Sequence, residues 1–466
     1  MDLTSRLRSI VRTGPPRELT YEPDDGYRNA AALDPDYIAS ALGGRRVATR
    51  FGECIVIDRR YESDRWHGGI QIGDCTLDDF ESLNILDPGL DTRGPARPAG
   101  GGAPLSGPPA RTVFIDLETT GLSGGAGTVA FLVGCGYFDL GAFQVRQFLL
   151  TSHSAERALL AAVAEFFGEA DLIVTYNGKT FDVPVMETRW LFHRMEMPSI
   201  GVPGGVPHFD MLHPARRLWR KRWATSVPSG IEAGLRVEAG FSRPAVDDDS
   251  CCRLSTLERR LFDVRRVGDV PGMEIPSRFF RFVRSGDPRP LEPVLEHNRI
   301  DLVSLAAVTA RALQLAREGP DACRDCAEAL ALGRIFERAE HFSRAETCYR
   351  HAAGSRESVI RAEALFHLAV RLRRNRCFID AAGVWAELIE FTVPRSMRHG
   401  RPGQLRQVAV EALAIHQEHR AKDLAGAREL ASAALEEAGA VRADGARHRI
   451  ARLDRKLARR ESPLFQ

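Results

Sequence analysis

The chain has 466 residues, 44% of them hydrophobic and 27% charged, with a formal net charge of +2. That length exceeds one ordinary core, so two or three domains are expected, and the composition is that of a soluble globular protein. The near-neutral balance excludes a whole-molecule field as a route to nucleic acid, so any such affinity has to come from local basic patches. Nine scattered cysteines favour reduced thiols over a disulfide framework. No apolar h-region follows the acidic Asp2, and no apolar stretch reaches membrane-spanning length. The expectation is a cytoplasmic protein with no membrane partner.

Residues 1–87 mix short strand-like runs, Glu53–Asp58 and Gly69–Ile72, with polar loops. They read as a small subdomain or as an extension packed on the next domain. Six prolines and six glycines fall within 88–109, a composition unable to bury enough apolar surface to order itself, so 88–110 is a linker. From Arg111 onward strands and helices alternate. Thr112–Leu117 reads as a strand, with Val129–Asp139 and Phe143–Leu150 as antiparallel neighbours joined by a turn at Asp139–Gly141. Ser154 is the expected N-cap of a helix running to about Glu169. Leu172–Tyr176 reads as a buried strand and Val183–Met195 as a helix; a short strand then ends near Asp210, before a helix from Pro214. The order β-β-β-α-β-α-β-α, hairpin first and parallel strands later, is that of an α/β ribonuclease H-like fold over 111–318. It predicts a mixed five-stranded sheet flanked by helices. Residues 224–250 are irregular and read as a solvated loop.

After about Gly319 the chain turns helical and alanine-rich. The triplet Glu-Ala-Leu recurs at 328–330, 363–365 and 411–413. Each copy precedes a second helix, carrying Phe342, Ala345 and Tyr349, then Phe378, Ala381 and Trp385, then Leu424, Ala427 and Ala431. A period in the mid-thirties, with small and aromatic residues alternating across two helices, resembles tetratricopeptide (TPR) repeats over 319–466. An irregular helical bundle is the alternative. Repeats of this kind imply a protein partner.

The chemistry concentrates in FIDLETTGL at 114–122. Asp116 and Glu118 are two apart on a strand, so both carboxylates leave the same face. Two acids at the end of an apolar strand are costly unless something positive neutralises them. Hard divalent cations with oxygen ligands do so; a strand end with solvated acids is the plain alternative. YNGKTFDVPV at 176–185 sets Asp182 at the start of a helix, where it also suits an N-cap. HNRIDLVSL at 297–305 belongs to a helix expected over Leu291–Arg317, with His297 and Asp301 four apart on one face.

Together with HFDMLHPARRLW at 208–219, CRLSTLE at 252–258 and DVPGMEIP at 269–276, these segments resemble the DEDD 3′→5′ exonuclease superfamily. The resemblance is closest to its YprB-like ribonuclease H-fold branch and covers roughly 111–315. It implies a phosphodiesterase that uses two Mg2+ or Mn2+ ions and acts on DNA or RNA, at a single-stranded 3′ end. Asp116 would bridge both ions, Glu118 and Asp301 would complete one site, and Asp182 would help hold the other through water. His297 matches the general-base position. Elsewhere in the superfamily that base is a tyrosine separated from the aspartate by three residues, or a histidine separated by four. Here a histidine stands at the tyrosine spacing, and one helical residue is about 1.5 Å of rise and about 100° of rotation. By the same resemblance Thr119, Thr120 and Gly121 would let backbone approach the terminal nucleotide. Asn177 and Lys179 are further substrate candidates, Lys179 being one of four lysines in the chain.

Arg216, Arg217, Arg220, Lys221 and Arg222, interleaved with Trp219 and Trp223, form the densest basic cluster. Arginines there would pair with phosphates while the indoles stack on bases. Equally, an amphipathic helix would turn its tryptophans to the core and its arginines to water. Two other readings of the whole chain are a scaffold whose nuclease fold has lost catalysis, acting through its repeats, and an endonuclease on the same fold. All four acidic positions are filled, which speaks against the scaffold, because buried like charges repel one another.

Overall fold

The computed structural model describes residues 34–77, 80–90, 111–121, 127–224, 252–392, 400–437 and 440–461. The expected linker from residue 91 onward and the expected loop beyond Ala224 lie outside the described residues.

The central sheet contains β1 (Arg45–Thr49), β2 (Gly52–Tyr61), β5 (Thr112–Thr119), β6 (Ala130–Asp139), β7 (Ala142–Leu149), β8 (Leu172–Thr175) and β9 (His208–Asp210). Its order is β1-β2-β7-β6-β5-β8-β9, and β3 (Trp66–His67) pairs with β4 (Ile70–Gln71) in a separate ribbon. Strands β5 to β9 are the five expected, antiparallel from β5 through β6 to β7 and parallel from β5 through β8 to β9. Two more extend them, because β2 pairs antiparallel with β7, and β1 with β2. Part of the N-terminal stretch thus enters the main sheet, which has seven strands.

Both faces of this sheet are covered, which is why its inner strands read as nearly continuous apolar runs. On β5, Val113, Ile115 and Leu117 join the core beneath α3 (Glu156–Phe167), α4 (Asp182–Phe192) and α7 (Ile275–Ser285). Phe114 points the other way, into the core shared with α5 (Leu212–Ala224), α6 (Leu254–Phe262) and the long helix α8 (Glu292–Glu318). Short helix α1 (Pro35–Ala41) packs on β1 and β2, and α2 (Phe80–Leu86) packs on α8. Helix α3 starts at Glu156 rather than beside Ser154, because 153–155 form a separate 3-10 turn and the Ser154 hydroxyl bonds that of Ser152 at 2.9 Å. Glu156 is buried and bound to Arg189 at 2.5 and 2.6 Å and to His193 at 2.8 Å, which clamps α3 to α4.

Beyond α8 follow α9 (Cys326–Arg338), α10 (Phe342–Ala353), α11 (Ser358–Arg374), α12 (Phe378–Phe391), α13 (Gly400–His416), α14 (Leu424–Glu437) and α15 (Ala440–Glu461), each packed on its successor. Ala345, Tyr349, Ala381, Trp385, Ala427 and Ala431 are buried between them. Gly333 lies under the Tyr349 ring, where a Cβ would collide with it. The core on the α8 face of the sheet continues into this all-helical region through Phe336 and Tyr349. Among the described residues no helix is long and apolar enough to cross a membrane, and the eight described cysteines are free thiols.

Candidate active site

The alternation on β5 sends Asp116 and Glu118 to the face covered by α8, on the same side as Phe114. Asp116 lies opposite Gly134 on β6, and Gly134 lies opposite Gln147 on β7. This row of three has no side chain in its middle. A Cβ at Gly134 would overlap the amide of Asn298, so the glycine opens a slot in the sheet that α8 fills. Asn298 is fully buried there. Its Nδ2 donates to Asp116 Oδ2 at 2.8 Å and to the Asp116 carbonyl at 3.1 Å. Gln147 Nε2 donates to Asn298 Oδ1 and to the Leu295 carbonyl, both at 2.8 Å, and Arg299 Nε donates to Gln147 Oε1 at 2.9 Å. Asn298 thus holds the carboxylate directly and is itself fixed by a chain of hydrogen bonds through Gln147 on β7 back to Leu295 and Arg299 on α8.

Glu118 and Asp182 are buried as well, at 8% and 7% exposure. Burial pushes the Asp116 carboxyl well above the usual carboxylate range, reinforced by Asp301 and Asp182. Burial does the same to Glu118, reinforced by Asp116, Asp301 and Asp182. Asp182 is raised to about 7, again by burial, against the lowering effect of its own backbone N–H and that of Leu117. Carboxylates that raise one another in this way sit in a common field. Their all-oxygen donor set suits a hard divalent cation, which would relieve that repulsion.

The fourth acid, Asp301, is paired with Arg266. That guanidinium also binds Glu258 at 2.6 and 2.8 Å and Asp269 at 3.2 Å, and it is 9% exposed. Burial alone would lower the Arg266 pKa, but Glu258 and Asp301 outweigh it and hold the group firmly protonated. His297 places Nδ1 2.5 Å from Asp269 Oδ1 and Nε2 3.5 Å from Asp301 Oδ2. The histidine at the tyrosine spacing is thus aimed by two carboxylates. Asp269 stays below its usual range, because His297 and Arg266 outweigh the opposing effect of burial. Asn298 holds Asp116 and Arg266 draws Asp301, and among the described residues no three His, Cys, Asp or Glu side chains form a ready-made metal ligand group. The four acids fit a divalent cation in charge and donor type, with Asp301 engaged by Arg266.

The turn before Asp182 is built by a residue not anticipated. Asp210, at the end of β9 and 1% exposed, accepts from the backbone N–H of Asn177 at 2.8 Å, Lys179 at 3.0 Å and Leu212 at 3.1 Å. Asn177 adopts φ of +69°, and a Cβ at Gly178 would overlap Thr175, so this Asn-Gly pair is required by the turn. The Asn177 side chain accepts from Thr180 Oγ1 at 2.8 Å. Lys179 extends to Asp87 at 3.0 Å, tying the turn to the N-terminal segment. Thr119 donates its hydroxyl to the Gly121 carbonyl at 2.7 Å, and Thr120 accepts from the Val129 N–H at 3.0 Å, so both hydroxyls shape the loop after β5.

In the basic cluster, Arg216, Arg217 and Arg220 are all half-buried. Arg217 donates to the Leu86 carbonyl at 3.2 Å. Trp219 is fully buried and donates to Glu328 Oε1 at 2.8 Å, so this indole serves the core between α5 and α9 and does not face outward for a base. The side chains of 221–224 lie outside the described residues. Sequence reasoning missed Gln147, Glu258, Arg266, Asp269 as a partner of His297, and Asp210. Gln147, a polar residue within an apolar strand, and Gly134 in the neighbouring strand were the readable signals.

The fold and the acids at the end of β5 define a ribonuclease H-like domain, and a model of the RNase_H superfamily matches residues 113–313. Over 354 residues the chain is 30% identical to YprB of Bacillus subtilis (strain 168), covering 74% of this chain and 75% of that protein. The chain belongs to the family of YprB. The structure of the family B DNA polymerase from Pyrobaculum calidifontis is similar over 63% of this chain at a TM-score of 0.31 and 10% identity. The chain spans 49% of the length of that polymerase.

Proposed function

We propose that the chain is a divalent-metal-dependent nuclease of the DEDD type, removing nucleotides from a single-stranded 3′ end of DNA or RNA. The observation that supports this most is the gathering of Asp116, Glu118 and Asp182, three buried acids of which Asp116 and Glu118 share one strand face and all are raised by burial. Asp116, Glu118, Asp182 and Asp301 are the residues that would hold Mg2+ or Mn2+. A bound divalent ion would supply Lewis-acid activation of water and neutralise charge on the leaving oxygen. Asn298 fixes Asp116. His297, oriented by Asp269, takes the proton from the attacking water. Thr119, Thr120 and Gly121 shape the loop along which a terminal nucleotide would lie; Asn177, Lys179, Arg216, Arg217 and Arg220 are candidate phosphate contacts of lower rank, given their internal partners.

The domain division proposed is an N-terminal extension to 87, which lends β1 and β2 to the sheet of the next domain, a linker over 88–110, the nuclease domain over 111–318 and a TPR-like region over 319–466 that docks a protein partner. A cytoplasmic setting accords with the free thiols. The test uses 3′- and 5′-labelled single-stranded DNA and RNA with the full chain, in Mg2+, Mn2+ or EDTA, beside Asp116→Ala. A ladder shortening from the 3′ end, absent in EDTA and in the variant, is the expected result. Internal cuts would favour the endonuclease, and inertness on every substrate would favour the scaffold.

A further inference from the structure

We infer that Arg266 is a resident cation of this site, so that the chain binds one divalent ion, against Asp116, Glu118 and Asp182, while Asp301 stays with the guanidinium. This rests on the nuclease reading but departs from it in two respects: Asp301 is removed from the four acids assigned there to the metal, because it pairs with Arg266, and one ion replaces the two that the family resemblance implies.

An exposed arginine would swing away when an ion arrived. Arg266 is 9% exposed, and every direction in which its fork points ends on an acid: Glu258, Asp269 or Asp301. Its firmest hold is the two-pronged contact with Glu258, which is 1% exposed. Withdrawal would leave that carboxylate charged, buried and unpaired, which is the most unfavourable way to break an ion pair. Glu258 is itself fixed from behind, since it accepts from the Ser304 hydroxyl, which lies 2.9 Å from His67 Nε2. The anchor therefore spans α6, α8 and the β3 ribbon, and local side-chain motion does not release it.

The acids divide accordingly. Glu258, Asp269 and Asp301 surround the guanidinium, whereas Asp116 and Glu118 share one face of β5 and the Asp182 carboxyl is held against that strand by the Leu117 N–H. A second dication at Asp301 would lie beside a fixed positive charge in a poorly solvated place, where like charges repel strongly. By holding both Asp301 and Asp269, Arg266 also positions the two carboxylates that aim His297.

The test is a count of bound Mn2+ on the purified full chain, by the resonance signal of the free ion and by calorimetry. Wild type is expected to bind one Mn2+ per chain, and Asp116→Asn to lose it. Asp301→Asn should keep that ion with less than threefold change in Kd; a tenfold or greater weakening overturns the inference. Arg266→Met combined with Glu258→Gln leaves no buried charge without a partner and should admit a second ion, with circular dichroism confirming the fold. One ion in that double variant, or two in wild type, overturns the inference and leaves the nuclease reading standing. No binding by wild type overturns both.

Discussion

Asn298 Nδ2 lies 2.8 Å from Asp116 Oδ2, and the two meet across a gap in the sheet made by Gly134. Helix α8 can reach a strand-borne carboxylate only because β6 has no side chain at that point. Gly134→Ala is therefore expected to cost about 3 kcal/mol of unfolding free energy, the upper range for overpacking a core. It should also reduce nuclease activity at least tenfold in the fraction that folds. Urea titration together with the labelled-oligonucleotide assay checks both. An alanine variant of native stability and full rate would show that the slot is not needed.

Function and stability are expected to oppose each other at Asp116. Its carboxyl is raised by burial and by Asp301 and Asp182, so in the absence of metal it is a source of strain. Asp116→Asn keeps the shape and removes one of the repelling charges. In EDTA the variant should be more stable than wild type by at least about 1 kcal/mol, the scale of a like-charge pair about 4 Å apart in bulk water, while its nuclease activity is abolished. A destabilised variant would mean that the acid is satisfied by the protein alone.

The buried histidine on β9 gives stability a pH dependence away from the acids of the site. His208 is 5% exposed, bonds Thr175 Oγ1 at 2.8 Å, and has its pKa lowered to about 4 by burial. Its unfolded value is about 6.5, so on acidification the unfolded chain takes up the proton first. The stabilising effect of a neutral His208 is complete above pH 6.5 and is lost progressively as pH falls towards 4. Between pH 7.5 and 5 the loss is about 2 kcal/mol. His208→Gln should remove this share of the slope, measured as urea midpoint against pH, and leave the shares of His67 and His367, which burial also lowers to about 4; an unchanged slope would place the titration elsewhere.

Trp219 donates its indole N–H to Glu328, which also receives Arg311 Nη2 at 3.0 Å and the Arg324 N–H at 2.7 Å. Trp219→Phe removes one bond to a buried charge and leaves a cavity where part of the indole lay, at a combined cost of about 3 kcal/mol. Single-stranded DNA affinity, read by fluorescence anisotropy at fixed salt, should be unchanged. A loss of affinity with native stability would restore the base-stacking reading of this residue.

The sheet core, the hairpin and the helix carrying Asp301 were legible because apolar periodicity and turn residues at Asp139–Gly141 report local structure directly. The candidate acids Asp116, Glu118, Asp182 and Asp301 were singled out by their spacing and their resemblance to known motifs. Arg266 was not, since its partners Glu258, Asp269 and Asp301 lie on separate elements and only tertiary packing assembles them. The pairing of β2 with β7 was equally hidden, because Tyr61 meets Phe143 across a long stretch of chain that local pattern does not bridge. Trp219 was ambiguous for a different reason: an indole beside arginines has the same spacing on a buried helix face as on a nucleic-acid surface.

Adding β1 and β2 beside β7 relocates the open rim of the sheet. Without them, Phe143, Val145 and Leu149 would lie along an unpaired backbone ladder, a template on which another chain could grow a strand. Among the described residues the rim is instead β1, five residues long, with Arg45 facing Asp58 and Arg46 clamped by Asp36 and Glu53. At the opposite rim β9 has only three residues. Short, charge-studded margins of this kind resist edge-to-edge assembly, so the N-terminal addition guards the fold against fibre-like growth.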